Sequence, residues 1–307
     1  MNRFATLAAT VCVAALTLAI ALGGASPAAA QDLFVANYIG SGYLSRVKPD
    51  GTATTFATGF ARPAFLAFNS AGDLFVANQF DASVLRVKPD GTTTTFATGI
   101  NGSNGLAFNS AGDFFVSGNG GGGFISRVKP DGTTTTFATG FNSSTLAGLA
   151  FNGAGDLFVE NFTGGSIFRV KPDGTFTTFA TGFNLPEGLA FNSAGDLFVS
   201  NDIANGYISR VKPDGTTTTF VSGLNRPTGL AFNSAGDLFV ADINSVLRIK
   251  PDGTTTTFAR GLQTPVGLAF ATTAVAVPES GTLALVIAPS LSVLGAVIVR
   301  RRKQAAA

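Results

Sequence analysis

Short apolar runs broken by polar turn residues return along this chain every forty positions or so. In one representative stretch the runs are Phe65 to Phe68, Leu74 to Ala77, Val84 to Val87 and the Thr-rich Thr93 to Ala97. Runs this short, rich in Val, Leu, Phe and Thr and bounded by Gly, Pro, Asn and Asp, predict β-strands. The phrase [LF]FV starts at Leu33, Leu74, Phe114, Leu157, Leu197 and Leu238, with spacings of 41, 40, 43, 40 and 41 residues. A [VI]KPDG phrase follows from Val47, Val87, Val128, Val170, Val211 and Ile249, and an LAF phrase ends at Phe68, Phe108, Phe151, Phe191, Phe232 and Phe270. In Lys88-Pro89-Asp90-Gly91, Pro presets φ at the second turn position, Asp tolerates the third and Gly closes a hairpin corner of type I. Asn69 to Asp73 (NSAGD) forms a longer corner between the first two strands of a unit.

Four antiparallel strands per roughly forty residues predict a propeller blade, and six units predict an all-β, six-bladed β-propeller over residues 31–270. The 29 phenylalanines suit blades packed on both faces. The repeat region opens on the second strand of a blade and ends on a first strand. Gly267 to Phe270 should therefore pair with Leu33 to Val35 and remove the open edge of the ring.

The flanks read differently. Residues 1–30 have the anatomy of a secretory signal peptide: Arg3, an apolar stretch from Phe4 to Leu22, and the A-x-A site Ala28-Ala29-Ala30. An uncleaved anchor is the alternative. The single cysteine, Cys12, lies inside this segment, so the mature chain has no thiol. After a linker at 271–276 come Val277, Pro278, Glu279 and Ser280, then an uncharged stretch over 281–299, then Arg300, Arg301, Arg302 and Lys303. Nineteen helical residues span about 28 Å, enough for a bilayer core, and the basic cluster should remain cytoplasmic. This tail resembles the PEP-CTERM sorting signal, with Ser280 where that family has a second proline. The signal peptide implies export by the Sec-type machinery and cleavage by signal peptidase, and the tail's resemblance implies recognition by an exosortase-like enzyme and an association with extracellular polysaccharide. A plain C-terminal anchor is the alternative. Either way the propeller is expected on the periplasmic or extracellular side.

Charge and composition then narrow the chemistry. Between Gln31 and Val277 there are fifteen basic and seventeen acidic residues, so the high sequence pI of 8.8 belongs to the tail, and no nucleic-acid footprint exists. The chain has no histidine, which excludes Ser-His-Asp and Cys-His nucleophiles and His-rich metal sites. What remains is oxygen chemistry from carboxylates, amides and hydroxyls around a hard cation.

The text GLAFNSAGDLFVAN…VLRVKPDGTTTTFATG resembles NHL repeats and the six-bladed propellers of the gluconolactonase and regucalcin family, and is similar to streptogramin lyase propellers, whose chemistry uses a histidine. Gluconolactonase-like propellers hold a cation at one mouth of the central channel, partly by residues just before the innermost strand. The corresponding ring is Ala64, Asn104, Ala147, Glu187, Thr228 and Val266, of which Asn104, Glu187 and Thr228 are candidate ligands of Ca²⁺ or another divalent cation. No cofactor is the simpler expectation, with Glu187 and Asn104 as solvated rim groups.

Residues that recur around the ring read as blade structure. Such are Arg46, Arg86, Arg127, Arg169, Arg210 and Arg248, and the Asp before each LFV phrase. The loop after the second strand breaks the repeat, and variable loops on a rigid scaffold carry recognition. Tyr38, Tyr43, Phe80, Phe162 and Tyr207 fall there as candidate ligand-binding residues, suited to carbohydrate faces. Two functions follow as expectations: a non-catalytic, surface-displayed binding or scaffold propeller, or a metal-dependent lactonase-type hydrolase. Whether the protein is an enzyme is left open, with the missing histidine and thiol speaking against it.

Overall fold

The structure is a computed structural model and describes residues 31–271 except 39, 40 and 144. The expected signal peptide, the sorting motif, the span 281–299 and the basic cluster lie outside the described residues. Within them every regular element is a strand, and no helix is long and apolar enough to cross a membrane.

The strands form six antiparallel four-stranded sheets, one per repeat. Blade 1 consists of Leu33–Asn37, Gly42–Val47 and Ala53–Phe60, completed by Pro265–Phe270 from the far end of the chain. Blades 2 to 6 span 63–98, 106–139, 146–181, 186–224 and 230–260. The ring closes as the repeat register requires, with Leu33 opposite Phe270, Phe34 opposite Ala269 and Val35 opposite Leu268. First strands of adjacent blades touch one another all the way round, so they are the inner strands that line the channel.

The core lies between blades. The second strands are buried along their whole length in blades 1 to 5 and up to Ala241 in blade 6, and six separate apolar clusters sit at the six blade interfaces. Each is centred on a three-ring group: Phe75, for example, meets Phe96 of its own outer strand and Phe108 of the next blade at 4.9 and 5.3 Å between centroids, both edge-on. Edge-to-face rings match the quadrupole preference of aromatic pairs. The same triad recurs at Phe34, Phe115, Phe158, Phe198 and Phe239.

The KPDG phrase has a second use beyond its corner. Gly91 has φ +85° and its N–H donates to Lys88 O at 2.9 Å, while Lys88 N–H donates to Thr92 O, a type I turn followed by a left-handed residue. A Cβ at Gly91 would stand 2.5 Å from Phe56 O of blade 1. The turn therefore docks on the outer strand of the preceding blade, and only glycine satisfies both the backbone angle and the approach.

Candidate functional site

Inner strands enter the ring through a register shift. In blade 5 Pro186 pairs with Asn201 and Leu189 with Val199, so Glu187 and Gly188 together oppose Ser200. Blade 4 repeats this, with Ala147 and Gly148 opposite Glu160. A bulge of this kind re-aims side chains and leaves a backbone N–H without a ladder partner. The facing side chain takes it: Gly105 N–H donates to Ser117 Oγ, Gly188 N–H to Ser200 Oγ and Gly148 N–H to Glu160 Oε2, each at 2.8 Å. Where that facing position is Ala241, Gly229 N–H donates instead to Val266 O of the neighbouring blade.

The bulges carry the residues before each inner glycine to one mouth of the channel. A cavity of about 450 Å³ opens there, lined by Asn104, Glu187, Asp202 and Arg226, with Tyr38 and Phe162 among its further walls. Of the expected cation ring, Ala64, Asn104, Glu187, Thr228 and Val266 line this cavity. Of the expected loop aromatics, Tyr38 and Phe162 reach it. Tyr43 stays in its strand opposite Asn37, the Tyr207 hydroxyl accepts a hydrogen bond from Asn184 Nδ2 at 2.8 Å, and Phe80 is exposed and is not one of the cavity walls.

Glu187 is not the free, solvated rim group expected of it. Its carboxyl shares a hydrogen bond with that of buried Asp202, and Asp202 receives Arg226 Nε on Oδ1 at 2.9 Å and Arg226 Nη2 on Oδ2 at 3.1 Å. Two carboxyls in hydrogen-bond contact hold one proton between them. Burial and the adjoining Asp202 favour the protonated form of Glu187, so Glu187 carries it. Desolvation by the channel wall, then the Asp202 charge, push Glu187 up to about 8.

Glu160 lies behind this group. It is wholly buried, its Oε1 is the buried side-chain atom without a partner among the described residues, and burial raises its pKa well above the usual carboxylate range. Thr228 Oγ1 donates to Pro265 O at 3.0 Å and Asn104 Nδ2 to Leu146 O at 3.2 Å. Both are partly committed to holding adjacent blades together.

Asp202, Arg226 and Glu160 were not among the residues singled out from sequence. Glu160 had a readable signal: it occupies the fourth place of its second strand, where the other blades have Ala36, Ala77, Ser117, Ser200 and Ala241. Asp202 and Arg226 sit in two loops, one after the second strand of blade 5 and one leading into blade 6, and local pattern does not show that the loops meet.

No family model and no curated protein matches the sequence. Solved structures do resemble it. Virginiamycin B lyase from Staphylococcus aureus superposes with TM-score 0.59 at 17% identity, covering 78% of this chain and 92% of that one. A chain of a nidogen–laminin complex gives 0.69 at 18%, covering 79% and 98%. A gluconolactonase from Xanthomonas campestris gives 0.60 at 16%, covering 78% and 90%. At these identities the likeness establishes the six-bladed propeller fold.

Proposed function

We propose that this protein is an exported, surface-displayed propeller that binds a hydroxyl-rich ligand of the carbohydrate class at the channel mouth. The observation that carries the reading is convergence. The variable-loop aromatics Tyr38 and Phe162 line the same cavity as Asn104, Glu187, Asp202 and Arg226. Its volume of about 450 Å³ falls in the range of small-molecule sites, and flat rings beside amide, carboxyl and guanidinium groups suit the faces and hydroxyls of a sugar. Export and display rest on the two flanking signals and are tested by protease accessibility in spheroplasts. Digestion of the propeller from outside with the Arg300 to Lys303 cluster protected is the expected pattern.

A lactonase-type cation centre, the second reading, fits the residues poorly. A divalent hard cation seeks six to eight oxygens. Both Asp202 oxygens are engaged by Arg226, Glu160 is sealed from the cavity, and among the described residues no group of three His, Cys, Asp or Glu could hold a metal ion. Virginiamycin B lyase is described as catalytically inactive when one histidine is replaced by alanine, and this chain has no histidine. Titration calorimetry of the purified protein with oligosaccharides tests the binding reading: saturable heat in the wild type, lost in Phe162→Ala, is expected. Lactone hydrolysis that disappears with chelator would replace it by the enzymatic one.

A further inference from the structure

Two arginines occupy the same place in different repeats, immediately before the proline that leads into an inner strand. Arg62 precedes Pro63 and Arg226 precedes Pro227, and both have left-handed backbones, with φ of 57° and 54°. Their partners differ. Arg226 is neutralised by Asp202, whereas Arg62 has no carboxylate partner among the described residues. Asp81, two residues beyond Gln79, accepts a hydrogen bond from Asn78 Nδ2 at 2.9 Å.

Arg62 is held by rings instead. Its guanidinium carbon lies 5.6 Å from the centroid of Tyr38 and 5.9 Å from that of Phe80. The loops beneath are tied together: Gln79 N–H donates to Arg62 O, Phe80 N–H to Ala61 O, and Tyr38 Oη–H to Gln79 Oε1 at 2.7 Å. Tyr38 and Gln79 are also walls of the mouth cavity, so the stack stands at its rim. A guanidinium fixed by aromatic faces keeps its N–H edges free, and that planar fork matches a carboxylate. Phe80 is 75% exposed, an unusual state for phenylalanine and a ready platform for a sugar ring.

We infer that Tyr38, Arg62 and Phe80 form an acid-reading subsite beside the mouth, and that the ligand is a glycan carrying a uronic acid whose carboxylate meets Arg62. The inference rests on the mouth being a carbohydrate site and adds the charge of the ligand to it.

The test is calorimetric titration of the detergent-purified full chain with trigalacturonic acid and with its methyl ester, which has the same rings without the charge. Wild type should bind the acid at least about tenfold more tightly than the ester, a preference worth about 1.4 kcal/mol, and raised salt should weaken only the acid. Arg62→Gln should equalise the two ligands, Arg62→Lys should keep part of the preference, and Phe80→Ala should weaken both. Should the glutamine variant fail to fold, the lysine and Phe80 variants still decide. Equal binding of acid and ester by the wild type, or an unchanged preference in Arg62→Gln, overturns the subsite and leaves the mouth reading standing. Binding of neither ligand removes the mouth reading and this inference with it.

Discussion

The two ends of this ring are built on opposite rules. At the turn end each blade repeats one arrangement: a KPDG corner docked on its neighbour, and an arginine of the third strand paired with the Asp that precedes the second. At the mouth end the bulges and loop caps repeat, but the side chains that line the cavity do not. Glu160, Glu187 and Asp202 each occur once in their setting, Arg226 shares its place with Arg62 but meets a carboxylate, and burial raises the pKa values of Glu160 and Glu187. The turn-end pairs are exposed on their arginine side, so each contributes little and their sixfold recurrence reflects the blade rather than a site. Asymmetry inside a symmetric scaffold therefore marks where chemistry is concentrated, because a group that only supports a blade has no reason to appear once.

The comparison can be broken by substitutions, and the largest effect is expected where inner strands touch. Adding a side chain at Gly188 would place a Cβ 2.2 Å from Thr228 O of the next blade, a backbone atom that cannot step aside. Gly188→Val should cost more than about 3 kcal/mol, read as loss of cooperative unfolding at room temperature or a large drop in denaturant midpoint. Next come the interface rings. Phe75→Ala removes the centre of a buried triad and should cost about 3–5 kcal/mol, whereas Phe80→Ala at the exposed rim should leave the midpoint within about 0.5 kcal/mol.

The pH dependence separates the ends more finely. Glu187 holds its proton in the fold up to about pH 8, against the ordinary value of 4.5. The folded state therefore binds more protons than the unfolded chain across that window. Its contribution is fully present below the unfolded value and is lost as pH rises through about 8. The melting temperature should fall between about pH 5 and 8 and level off above that, and Glu187→Gln should flatten the fall. Glu160→Ser, which installs the residue that blades 3 and 5 use at that place, should reduce it further because burial raises Glu160 in the same direction. Exposed turn carboxylates such as Asp90 are shifted down by the Thr92 backbone and side chain, so they titrate at acid pH and leave this window untouched.

The smallest effect belongs to the turn end. Arg46→Gln should change stability by no more than about 0.5 kcal/mol, and the same change at any of the other five should behave alike. A large and blade-specific effect there would end the claim that those pairs are scaffold.

Much of the architecture could be read before any coordinates. Spacing near forty residues, a turn phrase with a fixed chemistry and a register that begins one strand late determine blade number, strand order and the Leu33 to Phe270 closure. All of these are local or periodic properties. The resemblance to gluconolactonase-like propellers pointed to Asn104, Glu187 and Thr228, and the repeat carried that reading round the ring, since equivalent positions in equivalent repeats lie at equivalent heights.

What the tertiary structure alone decided is who meets whom across repeats. Asp202 lies in the loop after the second strand of blade 5 and Arg226 in the connection to blade 6, and only the ring brings this pair onto Glu187 and turns an exposed-looking carboxylate into a neutral acid. Arg62 and Arg226 are indistinguishable as local text, an arginine before a proline in each case. One is cancelled by a carboxylate and the other is held between two rings, because partners that determine a charge state are set by proximity in space, and desolvation depends on every wall of the channel at once.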